Sequence, residues 1–362
     1  MKKTCICVTL FCLHYLLLPG QSFPDSIGTF QILFDRMTGD STVACYRIPA
    51  LATAPNGRLI AVIDQRMESC ADLNANNDIN IVMRHSEDDG QTWSAIETIV
   101  DYPLGISASD PSMIIDQITG EIFLLFNYMD LNNAKNVYYC YVAKSADNGI
   151  TWSKPVDITG QMTPNEWHPD FKFITSGKGI QTRSGTLLHC LVHLQKGVFV
   201  FGSADHGNTW FIKNTPVIPA DESKIVELPD GSWMINSRVN KKGMRYVHRS
   251  TDAGNSWITS PEPALPDPGC NASILCAPAV NGSAKNCLLF CNANSGRERK
   301  NLTIRASFDE GHSWSEGKTI YPNSAAYSDM TILANGDIGV LFEKDDYTQN
   351  IFIRVKREWL IN

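Results

Sequence analysis

The 362-residue chain is short of the features that mark several common classes of protein. Beyond residue 22 it has no run of roughly 18 consecutive apolar residues, the length of a membrane-spanning helix. Only 19% of residues are charged, and 31 Lys and Arg stand against 38 Asp and Glu, a net charge of −7. With no block of like charge, this weakly acidic chain is a poor match for nucleic acid or for a polybasic membrane anchor. No cysteine spacing forms a zinc pattern, because no C-x-x-C pair has a second pair or a spaced His pair as partner. His189 and His193 share one face of a predicted strand, but no third ligand is near them in sequence. They read as core or surface residues. The composition, 43% apolar with 25 Gly and 8 Trp, is that of a globular protein.

What is present begins with an export address. Met1 to Ser22 carries Lys2 and Lys3, then an apolar stretch from Cys5 to Leu18. Gly20 and Ser22 are small residues placed for cleavage before Phe23. Residues 1–22 are therefore expected to be a signal peptide, with an uncleaved anchor as the alternative. Residues 23–362 are expected to form the mature chain. A secreted or periplasmic location follows, or a lysosome-like lumen in a eukaryote. Eight cysteines remain: Cys45, Cys70, Cys140, Cys190, Cys270, Cys276, Cys287 and Cys291. In an exported chain an even number permits disulfides, and the clustering of the last four makes a local bridge there the expectation. Asn271, Asn281 and Asn301 stand in glycosylation sequons.

The dominant signal is a repeat. Ser-x-Asp-x-Gly-x-(Thr/Ser)-Trp occurs five times, at Ser86–Trp93, Ser145–Trp152, Ser203–Trp210, Ser250–Trp257 and Ser307–Trp314. The Asp can accept bonds from turn N–H groups, the Gly can take positive φ, and the Trp supplies a large apolar surface. Spacing this regular calls for scaffold, so these boxes are given no chemistry. Out of phase with them run six tight turns, at Gly57, Gly120, Gly185, Gly231, Gly282 and Gly336, flanked by apolar runs. Each unit reads as strand, turn, strand, loop, strand, box, strand. Six units of about 57 residues fit a propeller repeat. The sixth lacks a box and a fourth strand, and Thr29 to Phe34 can fill the gap. The expected fold is all-β, a single six-bladed β-propeller of four-stranded antiparallel blades, closed by the N-terminal strand.

Strand direction then sorts the residues. Turns and boxes share one rim. The opposite rim collects Arg47, Asp110 and Tyr327, each nine or ten residues before its turn. Arg66 at the end of a second strand, Asp72 in the following loop, and Arg245 and Arg299 at the start of third strands fall there too. Glu227 lies on an inner strand, four residues before Gly231. Several arginines around one channel repel each other unless an anion binds between them, and the guanidinium fork matches a carboxylate.

Tyr46-Arg47-Ile48-Pro49 resembles the Y/F-R-I-P motif of the exo-α-sialidases (neuraminidases), and the five boxes resemble that family's Asp boxes. Ala326-Tyr327-Ser328-Asp329 resembles its tyrosine segment, and Val226–Gly231 its glutamate strand. The resemblance spans essentially the whole mature chain. It implies that Arg47, Arg245 and Arg299 grip the sialic acid carboxylate. It also implies that Tyr327 is the nucleophile, Glu227 its base and Asp72 the general acid/base. Arg66 and Asp110 would lie around the 4-hydroxyl. Glu68 and Asp78 rival Asp72 in its loop, and Arg297 rivals Arg299. The implied enzyme is a monomeric retaining exo-α-sialidase. It would act on sialylated glycoproteins, glycolipids or oligosaccharides, with no metal or organic cofactor. A trans-sialidase and a non-catalytic sialoglycan-binding propeller are the alternatives.

Overall fold

The computed structural model describes residues 27–37, 42–278 and 286–361. The expected signal peptide, and the sequon at Asn281, lie outside the described residues. Among the described residues the fold is all-β, in five sheets of seven, five, five, four and four strands.

The strand order follows the turn-and-box count. Cys45–Thr53, Leu59–Arg66, Ile79–Ser86 and Glu97–Val100 form one antiparallel meander. Ile106–Ile115, Ile122–Asp130, Tyr139–Ser145 and Val156–Asp157 form the next. In the third, Lys172–Ile174 and Ile180–Gln181 both pair with Leu187–His193, which leads to Gly197–Ser203 and Phe211–Ile212. Ser223–Glu227, Trp233–Ser237, Met244–Ser250 and Ile258–Pro266 form the fourth. The seven-stranded sheet holds two meanders that share the 15-residue strand Lys318–Ile332. Its last strand, Gln349–Val355, pairs with the N-terminal strand Gln31–Asp35, so the two ends of the chain are tied together, as expected. That pairing covers an edge that would otherwise be open.

Each box is a self-contained staple. In Ser145–Trp152, Ser145 Oγ donates to Asp147 Oδ1 at 2.8 Å and accepts from the Gly149 N–H at 2.8 Å. The Thr151 N–H and hydroxyl both donate to the same carboxylate. Asn148 and Gly149 both have positive φ, 59° and 80°. A Cβ on Gly149 would lie 2.4 Å from Ile60 of the preceding meander, so no side chain fits. In the same way Gly90 abuts Phe352 and Gly207 abuts Phe123.

The cores lie between meanders. Ala50 and Val62 pack with Ala108 and Leu124, Ile114 and Phe123 with Leu187 and Phe201, and Leu188 and Val200 with Ile225 and Ile235. Val226 and Met234 pack with Ile274 and Leu288, and Leu289 and Ile304 with Val340 and Ile353. Leu51 and Ala61 pack with Leu333 and Phe352, joining the first meander to the last. Each Val, Leu, Ile, Phe or Met among these, fully buried, stabilises the fold by about 1.5–3 kcal/mol before conformational entropy is counted.

The cysteine expectation is corrected. Cys45 and Cys70 form the disulfide, while Cys270, Cys276, Cys287 and Cys291 are free. Register explains part of this: Cys276 pairs with Leu288 and Ala277 with Cys287, so the two thiols project from opposite faces of the sheet. Asn271 is 3% exposed, with its side chain bonded to Lys224 and Ser176, so this sequon is closed to glycosylation in the folded chain. His189 is bonded to Ser112, and His193 to Asp170. Both are buried in the core.

Candidate active site

Register places the boxes beside the tight turns and the other strand ends together. Leu59, just after the Gly57 turn, pairs with Ser86 of the first box, whereas Arg66 pairs with Cys45 at the far end. At that far end three inner strands carry bulges, between Arg47 and Ala50, Ser109 and Ser112, and Ala325 and Ser328. Ile48 and Asp110 sit inside two of them with φ of 64° and 59°. A bulge re-aims the side chains around it, and positive φ at a β-branched Ile is a strained conformation that the surroundings must enforce. One group that enforces it is Glu343, fully buried. Its Oε1 accepts from Arg47 Nε at 2.9 Å and from the Ile48 N–H at 3.0 Å, and its Oε2 accepts from the Tyr327 N–H at 3.1 Å. A single carboxylate thereby fixes two of the bulges to each other.

Tyr327, 8% exposed, lies at the centre. The guanidinium carbons of Arg47 and Arg299 stand 5.7 and 5.3 Å from its ring centroid. Its hydroxyl accepts from Arg238 Nη1 at 3.2 Å, and the same nitrogen donates to Glu222 Oε2 at 2.5 Å. Burial first, and then the nearby Glu222 carboxylate, push the phenol well above its ordinary value, while Arg238 and Arg299 pull against them. The side chain is therefore a neutral phenol at neutral pH. Arg299 is held by neutral oxygens, donating to Tyr347 Oη at 2.9 Å and to the Gly269 carbonyl at 3.0 Å.

The second part of the site is built on Arg66. It is fully buried and donates to Asp64 through Nε and Nη2, and to Asp72 Oδ1 through Nη1 at 2.8 Å. Nη1 also holds the Cys70 and Ala71 carbonyls, so Arg66 and the disulfide together fix the loop that presents Asp72. The Asp72 side chain is exposed at the mouth. Partial burial raises its pKa, but Arg66, and then Arg47 and Arg299, outweigh this and hold the carboxyl below its usual range. Asp110 accepts from Asn127 Nδ2 at 3.0 Å, and its N–H donates to Asp64 at 3.0 Å. Burial and the adjacent Asp64 push Asp110 upward, to about 8.

The structure thus brings together Arg47, Arg66, Asp72, Asp110, Arg299 and Tyr327 of the expected set. Of the rivals, Arg297 is exposed, Glu68 is bonded to Asn77, and Asp78 faces Asp101 and Glu68. Two expected members lie elsewhere. Glu227 is at the turn end of its strand, where it pairs with Arg183 and lines a cavity of about 720 Å³ with Thr53, Lys178, Cys276 and Thr331. It is five residues from Glu222, or about 16 Å of extended strand. Arg245 is fully buried behind the site, bonded to Asn236, Asp267 and the Cys270 carbonyl. Glu222 and Arg238 occupy the places expected for them. The signal for Glu222 was present in the spacing: it lies nine residues before Gly231, as Tyr327 lies nine before Gly336. Arg238 and Glu343 each fall seven residues after such a turn.

A model of the BNR repeat-like domain matches residues 57–340. A sialidase of Micromonospora viridifaciens is 36% identical over 328 residues, covering 82% of this chain and 50% of its own length. A sialidase of Bacteroides fragilis is 30% identical over 341 residues, covering 85% of this chain and 61% of its own length. The chain thus spans about half to three fifths of these curated relatives. Among solved structures, a Hadza microbial sialidase superposes with a TM-score of 0.79 at 28% identity, covering 89% of this chain and 68% of that one. With a family model across most of its length and relatives at this identity, the chain belongs to the sialidase family and carries its BNR repeat-like domain.

Proposed function

We propose that the protein is an exported retaining exo-α-sialidase that removes terminal sialic acids from glycoproteins, glycolipids or oligosaccharides. The observation that carries this reading is the convergence of Arg47, Arg238 and Arg299 on one buried tyrosine, with Arg299 hydrogen-bonded to a phenol and a backbone carbonyl. Cations gathered this closely favour an anion between them, and three guanidiniums suit a carboxylate. The family membership agrees with it. The six meanders are read as the blades of one closed propeller, supported by the packing of the last meander on the first and by the paired chain ends. Residues 1–22 are read as the signal peptide, and the Cys45–Cys70 disulfide fits an oxidising destination.

The roles follow from the charges. The anomeric carbon of a sialoside bears a carboxylate, which repels an anionic Asp or Glu nucleophile. Tyr327, neutral at rest, avoids that repulsion, and sialidases with a tyrosine nucleophile are a known exception to the two-carboxylate rule. Glu222 takes the phenol proton as the oxygen attacks. The bond to the leaving oxygen breaks as Asp72 protonates it. Water, deprotonated by Asp72, then displaces the tyrosine, which recovers its proton from Glu222, and the configuration is retained. Asp72 is held in its ionised form in the free protein chiefly by Arg66, and Arg47 and Arg299 add to that hold. A bound carboxylate neutralises both, so substrate itself raises Asp72 toward the protonated form that the first step needs.

Replacing Tyr327 by Phe tests the reading. An unchanged thermal midpoint with a loss of about 1,000-fold or more in turnover of an aryl α-sialoside is expected. Full activity would sink it. Running sialyllactose with added lactose and identifying products separates hydrolysis from transfer to an acceptor.

A further inference from the structure

Arg245 reads at first as an ordinary buried ion pair. It is fully buried, and so is Asp267, to which its Nη1 donates at 3.0 Å. What it holds is less ordinary. Asp267 Oδ1 accepts from the Gly269 N–H at 2.7 Å and the Cys270 N–H at 3.2 Å, folding residues 267–270 into a turn around one carboxylate. Arg245 Nη1 closes the same turn by donating to the Cys270 carbonyl at 2.9 Å. Its Nε and Nη2 are anchored on Asn236 Oδ1 and the Asn236 carbonyl, two residues before Arg238.

This turn is wedged between two of the three guanidiniums around Tyr327. The Gly269 carbonyl accepts from Arg299 Nη2 at 3.0 Å. On its other side, a Cβ built on Gly269 would stand 3.2 Å from Asn240 Oδ1 and 3.8 Å from Arg238 Nε, and Asn240 Oδ1 is itself the acceptor for Arg238 Nε at 2.8 Å. Gly269 has φ of 81°, a conformation that favours glycine. No bond from Arg245 reaches the open site, yet the peptide that spaces Arg238 from Arg299 is the one it holds.

We infer that Arg245 is a positioning residue for carboxylate recognition: through the Asp267–Cys270 turn it sets the separation of Arg238 and Arg299. The inference rests on the reading of those arginines as a carboxylate grip. A fork-and-carboxylate contact depends on placement to a fraction of an ångström, so a slack turn costs acid recognition before it costs the fold.

The test compares binding of a 2,3-didehydro sialic acid with its neutral primary amide, by calorimetry. The wild type is expected to prefer the acid strongly. Arg245→Lys, which can serve Asp267 or the Cys270 carbonyl but not the whole fork, is expected to weaken acid binding at least about tenfold and leave amide binding unchanged. Leaving Asp267 buried without its partner can prevent folding. The double variant Arg245→Met with Asp267→Leu therefore removes both charges at once and is expected to show the same narrowed acid preference. Gly269→Ala, which keeps Arg245 and pushes on Asn240 and Arg238, is expected to move in the same direction. An unchanged acid preference in the folded double variant overturns the inference while leaving the carboxylate reading intact. A wild type that does not distinguish acid from amide overturns both.

Discussion

On the rim of the boxes, Asp88, Asp147, Asp205, Asp252 and Asp309 are held down at about 2, each by bonds from its own turn, chiefly the Thr or Ser four residues on. On the opposite rim the carboxylates have few local partners. Asp110 is pushed up to about 8 by burial and by Asp64, and Asp72 is drawn down by Arg66 on the preceding strand and then by Arg47 and Arg299. The same side chain is satisfied by its own turn on one rim and depends on charges from other elements on the other. Local satisfaction gives a scaffold that tolerates repetition. Dependence on distant partners leaves a group whose charge state a ligand can change, which is what acid/base chemistry requires.

The sharpest way to break this comparison is to exchange the rims' glutamates. Glu222→Gln is expected to lower kcat/KM for an aryl sialoside by about 100-fold to 10,000-fold, the range of a general base. Glu227→Gln, at the turn end, is expected to leave it unchanged. The reverse outcome would place the chemistry on the rim of the boxes. Asp72→Asn is expected to lower kcat/KM, which reports the steps up to departure of the leaving group, by a similar factor on sialyllactose but much less on a substrate with a nitrophenol leaving group, which needs no proton. Equal losses on the two substrates would remove Asp72 from the role of acid.

A smaller effect concerns how the open rim is braced. Cys70→Ser opens the only disulfide among the described residues, which closes a separation of 25 residues. About 3 kcal/mol of stability is expected to go with it, seen in the urea midpoint. Because Cys70 is two residues from Asp72, activity on sialyllactose should fall more than stability alone explains at temperatures well below unfolding. A variant that loses stability but keeps full activity would show that Arg66 alone suffices to present Asp72.

The rims also differ in how much of them the sequence disclosed. The boxes were legible because each turn is closed by its own residues, so the bonding pattern is written in consecutive letters. Arg47 and Tyr327 were legible because each lies in a short distinctive segment. The order of the strands, including the N-terminal strand against Gln349–Val355, followed from counting turns. Glu222, Arg238 and Glu343 were missed because their partners are 16 to 296 residues away and nothing around them is unusual. Their one signal was position relative to a turn, and weight given to the resemblance of the segment Val226–Gly231 favoured Glu227 over that spacing. The Cys45–Cys70 bridge was missed for the same reason, since pairing depends on which loops the fold brings together.

The smallest effects test the comparison most directly, because they predict opposite signs. Asp147→Asn in a box removes a carboxylate whose folded pKa, about 2, lies below its unfolded value. Such a group contributes stability above the unfolded pKa and loses it as pH falls toward 2. The variant should therefore be less stable than the wild type from pH 5 upward, with the gap closing as acid is added. Asp110→Asn removes a carboxyl whose folded pKa, about 8, lies above its unfolded value. The folded wild type holds a proton there that the unfolded chain releases, so its stability falls as pH rises from about 4 to 8. The Asn variant, which never ionises, should gain on the wild type across that interval. Urea unfolding of both variants at pH 3, 5, 7 and 9 gives the two slopes. Slopes of the same sign would mean that Asp110 is as well satisfied in its bulge as a box aspartate is in its turn.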